Sequence, residues 1–153
     1  MKTATIVALV FFAVGAASQD PAQSPTRAQC KFSDGISSAV IYSLGHQRYR
    51  LSINGALVTT QGMSVPAGGY TANLEQDSHQ QWTLKMTKPF DGKGLFIVSP
   101  PMSVTTFTPP IEGPEVSFDH TGGSCMMHLS QKKSGTVLSL EFTEKNADMP
   151  VLQ

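Results

Sequence analysis

The sequence contains few charged side chains and no basic run. Lys and Arg total 11 and Asp and Glu total 11, so charged residues make up 14% of the chain, against about a quarter in an average soluble domain. Without a cluster of Lys and Arg, the chain has no electrostatic basis for binding nucleic acid or an anionic membrane surface. We therefore expect a surface rich in Ser, Thr, Gln and Gly, as on many exported β proteins, and no nucleic-acid partner.

The sequence also lacks an apolar run long enough to cross a bilayer. The apolar run Ile6–Val14 is about half of the roughly 20 residues that a membrane-spanning helix needs. Lys2 precedes this run and the small residues 15–18 follow it, which is the layout of a cleavable secretory signal. We predict a signal peptide at residues 1–18, cleaved after Ser18, and a secreted or periplasmic chain that does not span the membrane. A membrane anchor is the competing interpretation.

Cysteine is scarce, since the chain has only Cys30 and Cys125. Neither has a second cysteine close by in the sequence, so we predict no metal site. In an oxidising compartment, two cysteines this far apart predict one disulfide. By chain entropy, a closed loop of about 100 residues would contribute roughly 4–5 kcal/mol to stability. Two free or intermolecular thiols are the alternative.

The length that remains after the signal suits one domain. Residues 19–29 are polar and proline-containing, and we predict a disordered leader there. Helix signals are nearly absent, because no stretch of about ten residues carries an apolar period of 3.6. Short β-prone runs alternate with turn residues instead. We therefore predict a β domain at residues 30–145 and a C-terminal tail at residues 146–153.

Alternation of apolar and polar residues is clearest at Trp82, Leu84 and Met86, which share one face of a predicted strand. A period of two with one apolar face indicates a half-buried antiparallel strand and places Trp82 in the core. The same alternation recurs at Cys125–Leu129 and Leu138–Phe142. We predict an all-β fold, an antiparallel β-sandwich of about eight to ten short strands, with a closed barrel as the alternative.

Turn residues divide the chain at regular intervals. Asp34–Gly35 and Asn54–Gly55 each separate two β-prone runs and predict hairpins, of which the second is the clearer. Pro100–Pro101 should break any strand that runs through it. Gly122–Gly123 predicts a turn through which Cys125 enters its strand.

No catalytic or metal-binding motif stands out. Four histidines occur, not spaced as ligand pairs: His46, His79, His120 and His128. We expect His128 on the outer, solvated face of its strand, and His46 and His79 in turn-like segments at the surface. The segment Gly122–Met126 has the first part of a nucleophile elbow but lacks the closing glycine. We therefore predict no catalytic residue, no metal and no cofactor. The alternative is a secreted hydrolase that joins Asp119, His120 and Ser124 and acts on an ester or a glycoside.

Several short segments, in order, resemble domain-of-unknown-function family 2911, whose members are exported bacterial proteins. These segments are Cys30–Gly35, Val40–Ser43, Val65–Thr71, Trp82–Leu84, Met102–Val104, Val116–Asp119 and Gly122–Met127. The resemblance implies an exported β protein, but no activity, because the family has no settled one. Family members carry a longer polar block after the first Tyr strand, whereas here Leu44–Tyr49 leads almost directly to the next strand. The chain would be a reduced or divergent member.

These observations favour a non-catalytic binding or envelope-associated module over an enzyme. The polar, weakly charged surface and the lack of a catalytic set support this interpretation. A glycan or an envelope protein is the partner we expect, and the sequence names neither. A further alternative is an interaction subunit that adds strands across a sheet edge.

Overall fold

The computed structural model describes residues 26–89, 92, 94–108, 113–131 and 134–145. The predicted signal peptide and C-terminal tail lie outside these residues, as does the predicted leader up to residue 25. The first strand includes Arg27–Gln29, which the sequence analysis assigned to the leader.

Every regular element in the described part of the chain is a β-strand, and the described residues form twelve of them. The strands are β1 (Arg27–Lys31), β2 (Ser38–Gly45), β3 (Arg48–Asn54), β4 (Leu57–Thr59), β5 (Ser64–Val65), β6 (Gly68–Gln76), β7 (Trp82–Pro89), β8 (Leu95–Val98), β9 (Ser103–Thr106), β10 (Val116–Thr121), β11 (Ser124–Gln131) and β12 (Thr136–Glu144).

The strands form two antiparallel sheets. The first sheet has the order β1-β2-β3-β6-β7-β8, and the second has the order β10-β11-β12-β4-β5, with β9 also paired to β12. The prediction of an all-β antiparallel sandwich is confirmed, although the described strands outnumber the eight to ten expected. None of the described residues belongs to a helix that could cross a bilayer.

The core contains the apolar residues of each alternating run. Leu138, Leu140 and Phe142 on β12 are all buried, while their polar neighbours point outward. On β7, Leu84 and Met86 are fully buried, and Trp82 is partly buried against the same cluster. Burial of alternate side chains is what selects a strand here, because one face of each strand removes apolar surface from water.

The predicted hairpin at Asn54–Gly55 is wrong, because this segment carries the chain from one sheet to the other. β3 pairs with β2 and β6, whereas β4 pairs with β5 and β12. Gly55 has a φ of 87°, and a Cβ there would collide with the side chain of Ser37. Glycine is therefore required, but for a crossing between sheets and not for a hairpin.

The break at Pro100–Pro101 is confirmed and has the same role. β8 ends at Val98 in the first sheet, and β9 begins at Ser103 in the second. The turn at Gly122–Gly123 also stands as predicted, since Thr121 and Ser124 are paired across it.

The tightest turn of the first sheet lies between β2 and β3, where Gly45 pairs with Arg48. His46 and Gln47 both have positive φ, 55° and 61°, which is the backbone of a two-residue turn that matches the twist of a hairpin. Residues other than Gly are uncommon at such positions, although Asn, Asp and His are enriched there, so His46 is less unusual than Gln47. The sequence predicts a turn-like segment at His46, but not that this segment is a two-residue hairpin turn.

One disulfide, Cys30–Cys125, joins β1 of the first sheet to β11 of the second, as predicted. The Cα atoms are 6.4 Å apart and the residues are separated by 95 positions. Both cysteines belong to the core. The bond therefore links the two layers where β1 and β10 approach each other.

Candidate functional site

A groove of about 490 Å³ lies at one end of the sandwich, where the β2–β3 turn meets the end of β11. We call it the end groove. Most of its lining residues carry polar side chains, including one carboxylate and one imidazole. The lining residues are Ser43, Gly45, His46, Gln47, Tyr49, Glu115, Ser130, Gln131 and Ser134.

The β2–β3 turn is held in place by contacts with both sheets. The backbone oxygen of Gln47 accepts a hydrogen bond from the Leu74 amide at 3.1 Å, on β6. The side-chain Nε2 of Gln47 donates to Oε1 of Gln131 at 3.0 Å, on β11 of the other sheet. The two amides therefore join the sheets across the groove, and the unusual backbone of His46 and Gln47 is fixed by these partners.

Tyr49 supplies the aromatic side chain of the end groove. Tyr49 is only 4% exposed, and this burial raises the pKa of its hydroxyl above the ordinary value. A hydrogen bond with Gln131 opposes this rise, and the negative charge of Glu115 adds to it. The phenol is therefore neutral at physiological pH and can both donate and accept a hydrogen bond.

Glu115 sits at the junction between the loop before β10 and the end of β11. Its backbone oxygen accepts a hydrogen bond from the Ser130 amide at 2.9 Å. Among the described residues that line the end groove, it is the only carboxylate. The groove therefore offers a ligand many neutral polar groups and little charge.

A second hollow, of about 310 Å³, borders the end groove on the outer face of the second sheet. We call it the outer hollow. Ser130 lines both cavities. The outer hollow also contains apolar groups, among them Phe107, Pro114 and Val137. A ligand that extends beyond the end groove would therefore meet an aromatic ring and two aliphatic side chains.

Three polar side chains form a chain of hydrogen bonds at the outer hollow. His128 Nε2 lies 2.7 Å from Oδ2 of Asp119, and His128 Nδ1 lies 2.6 Å from Oγ of Ser139. In a neutral imidazole, Nε2–H donates to the carboxylate and Nδ1 accepts from the hydroxyl. Strand register brings these residues together, since His128 pairs directly with Ser139 across β11 and β12.

The residue types of this network are those of a serine hydrolase, but the surroundings of Ser139 do not provide the rest of the machinery. Ser139 lies within β12 and is paired on one side with His128 and on the other with Ser103. Backbone amides in a strand paired on both sides are used by the sheet. An oxyanion hole needs free donors beside the nucleophile. The network is therefore a cross-strand polar contact that holds three strands in register.

The residues of the alternative hydrolase are not brought together. Asp119 hydrogen-bonds to His128. Ser124 donates to the backbone oxygen of Thr121 at 3.0 Å. His120 lies beside the two cysteines. Neighbouring residues on a strand point to opposite faces, so Asp119 and His120 are directed apart.

The positions of His46 and His128 were only partly predicted from the sequence. His46 lies in a surface turn as expected, but its place in the end groove was not foreseen. The prediction that His128 is solvated is wrong, because its side chain is only 24% exposed and both ring nitrogens have partners. Predicting this network requires the register between neighbouring strands, which the residue pattern of a single strand does not contain.

No family model, curated protein or solved structure matches this chain.

Proposed function

We propose that this chain is an exported, non-catalytic binding module whose end groove holds a neutral, hydroxyl-rich ligand of the glycan class. The observation that carries the proposal is the set of side chains in the groove: most lining residues carry an amide, a hydroxyl or a phenol, beside one imidazole and a single carboxylate. Amide side chains have donors and acceptors in one plane. Such groups match the neighbouring hydroxyls of a sugar ring, which also donate and accept.

Pre-organisation supports the same proposal. Gln47 and Gln131 are hydrogen-bonded to each other before any ligand arrives, so fewer rotamers are lost on binding. Tyr49 is held by the core and presents its phenol at the groove. A site built from side chains that are already placed loses less entropy when a ligand binds.

The lining of the end groove favours binding over hydrolysis. Glycoside hydrolysis commonly uses two carboxylates that flank the scissile bond. Glu115 is the one carboxylate among the described lining residues. Ser139, the hydroxyl partner of His128, lies in a strand that is paired on both sides. Among the described residues, neither cavity assembles a nucleophile, a base and an oxyanion site.

Export is part of the proposal. The layout of residues 1–18, the low charge of the chain and the disulfide all suit a secreted or periplasmic protein. We also propose a distant relationship to domain-of-unknown-function family 2911, on the segments already named. The short β2–β3 connection, where that family carries a longer block, forms one wall of the end groove here.

The test is a thermal-shift screen of the purified, oxidised protein against neutral oligosaccharides and peptidoglycan fragments, followed by calorimetric titration of any hit. A ligand that binds only the native state raises the melting temperature in a dose-dependent way. Gln131→Ala should weaken binding by about tenfold or more, because loss of one or two hydrogen bonds costs roughly 1.4 kcal/mol.

The matched control is Gln61→Ala, since Gln61 is an exposed glutamine outside the end groove. This variant should bind as the wild type does. A flat screen over a cooperative melt, or equal loss in both variants, would overturn the assignment of the groove to a glycan.

A further inference from the structure

The disulfide has a histidine beside it at the edge of the sandwich. His120 on β10 pairs directly with Cys125 on β11. Directly opposite residues of an antiparallel pair project from the same face. The imidazole is therefore directed toward the sulfur atoms, and one ring nitrogen and both Sγ atoms lie within 4.8 Å of one another.

We propose that reduction of the Cys30–Cys125 disulfide creates a binding site for a thiophilic d¹⁰ cation, Zn²⁺ or Cu⁺, formed by the two thiolates and the His120 imidazole. This inference is independent of the end groove and of its ligand. The three groups are the soft and intermediate ligands that these ions prefer.

The distances suit an ion of this kind. Zn–S bonds of about 2.3 Å in a tetrahedron place two sulfurs about 3.8 Å apart. The oxidised protein already holds the three ligand atoms within 4.8 Å, so opening the S–S bond and rotating side chains is sufficient. The strand backbones need not separate, because β10 and β11 are joined by their own ladder, which keeps His120 beside Cys125. The strand β1, which carries Cys30, packs against β10.

Burial supplies the second argument. Cys125 is fully buried and Cys30 is 5% exposed, whereas His120 is exposed at the edge. An ion would therefore enter past His120 and leave one coordination position toward solvent. Among the described residues, none hydrogen-bonds to the His120 ring. The imidazole is thus available as a ligand without the loss of another contact.

The site would form in two steps, reduction of the disulfide and then binding of the ion. A dithiol reductant transfers two electrons and two protons to the S–S bond, which breaks into two thiols while the reductant becomes a disulfide. Metal binding then releases the two thiol protons, because thiolates are the ligands. The oxidised protein has no thiolate to offer, so binding would occur in the reduced protein alone.

The test is a competition titration of Zn²⁺ and Cu⁺ against chromogenic chelators, with oxidised protein and with protein reduced by a phosphine. We expect one equivalent to bind to the reduced protein and none to the oxidised protein. His120→Ala should lower the affinity by about tenfold to a hundredfold, at least as much as loss of an outer-shell partner does. His79→Ala, which alters an exposed histidine in the turn between β6 and β7, should leave the affinity unchanged.

If reduction unfolds the protein, circular dichroism with and without the metal ion still tests the proposal. Refolding of the wild type by the metal, with a weaker response from His120→Ala, would support the site, because metal binding then drives folding. Two results would overturn the proposal: reduced wild type that takes up no equivalent of either ion, folded or unfolded, and His120→Ala that binds as tightly as the wild type.

Discussion

Asp34 organises the turn between β1 and β2 through several short hydrogen bonds to one carboxylate. Its Oδ1 accepts from the backbone amides of Ile36 and Ser37 at 2.8 and 2.7 Å, and its Oδ2 accepts from Oγ of Ser37 at 2.6 Å. The Ser37 side chain, then the two backbone amides, lower the pKa of Asp34 from 3.8 to about 2. The turn is therefore an acid-sensitive part of the fold.

We expect Asp34 to stabilise the protein above pH 4 and to lose this effect as the pH falls. The folded-state pKa is below the unfolded value of 3.8, so the unfolded chain takes up the proton first, and stability drops between about pH 4 and pH 2. Melting curves of wild type and Asp34→Ala across this range would check it. The two proteins should differ most near neutral pH and converge as the pH falls below about 2. A difference that stays constant with pH would contradict the prediction.

Ser139 tests whether the network at the outer hollow is structural. Ser139→Ala removes one neutral hydrogen bond to His128 and should lower the unfolding free energy by about 1 kcal/mol. Urea denaturation would measure this change. Background turnover of ester and glycoside substrates should not differ between wild type and variant. A loss of turnover in the variant alone would instead identify Ser139 as a nucleophile.

At the scale of single residues, sequence patterning placed the core well and the polar contacts poorly. Leu84, Met86 and Phe142 are buried as their alternation predicts, because one apolar face per strand determines burial. His128 is different, since its partners Asp119 and Ser139 come from two other strands. Only the register between strands brings them within reach, and register is set by pairing over long sequence distances.

The β2–β3 turn shows how an element can form without the usual local signal. Gly45, His46 and Gln47 all have positive φ, a conformation that normally selects Gly, Asn or Asp. Long-range contacts of Gln47 with Leu74 and Gln131 hold the turn. Asn54–Gly55 has the better hairpin sequence, yet β4 pairs with β12, because the apolar residue Leu57 is buried in the second sheet.

A substitution at Gly45 would measure the cost of backbone strain at this turn without any contribution from steric crowding. A Cβ at Gly45 would meet nothing within 4 Å, but the residue has a φ of 81°. Gly45→Ala should therefore cost about 1–2 kcal/mol of stability through the left-handed backbone alone. Gly69→Ala is the matched control, since its Cβ also meets nothing within 4 Å and its φ is not positive.

Chemical denaturation of both variants provides the measurement. Gly69→Ala should be neutral or slightly stabilising, because alanine restricts the unfolded chain more than glycine does. Equal stability of Gly45→Ala and the wild type would show that the β2–β3 turn relaxes without cost. Because Gly45 also lines the end groove, a strained turn should weaken ligand binding in the same variant.

On the scale of the whole molecule, the chain passes several times from one sheet to the other. β1–β3 and β6–β8 build the first sheet, while β4–β5 and β9–β12 build the second. The sequence predicted the class of fold because alternation is local. It did not predict the strand order, since the crossings at Gly55 and Pro101 resemble ordinary turns. The sequence did not predict the end groove either, because the residues that line it come from both sheets.

The disulfide links the two sheets covalently in addition to the backbone crossings, and its removal should be the largest single loss of stability we predict. The double variant Cys30→Ala/Cys125→Ala opens a loop of 95 positions, for which chain entropy gives about 4–5 kcal/mol. Urea denaturation of oxidised wild type and the double variant would measure the difference. Reduced wild type, kept free of metal, serves as the control and should resemble the variant.

The size of this loss depends on the unfolded chain more than on native contacts. Both cysteines lie in the core, so the alanines also remove some packing and the loss should not fall below about 2 kcal/mol. A smaller difference would mean that the unfolded chain stays compact without the bond. The reduced protein would then stay folded, with β1 packed against β10 and with Cys30, Cys125 and His120 close enough to bind an ion.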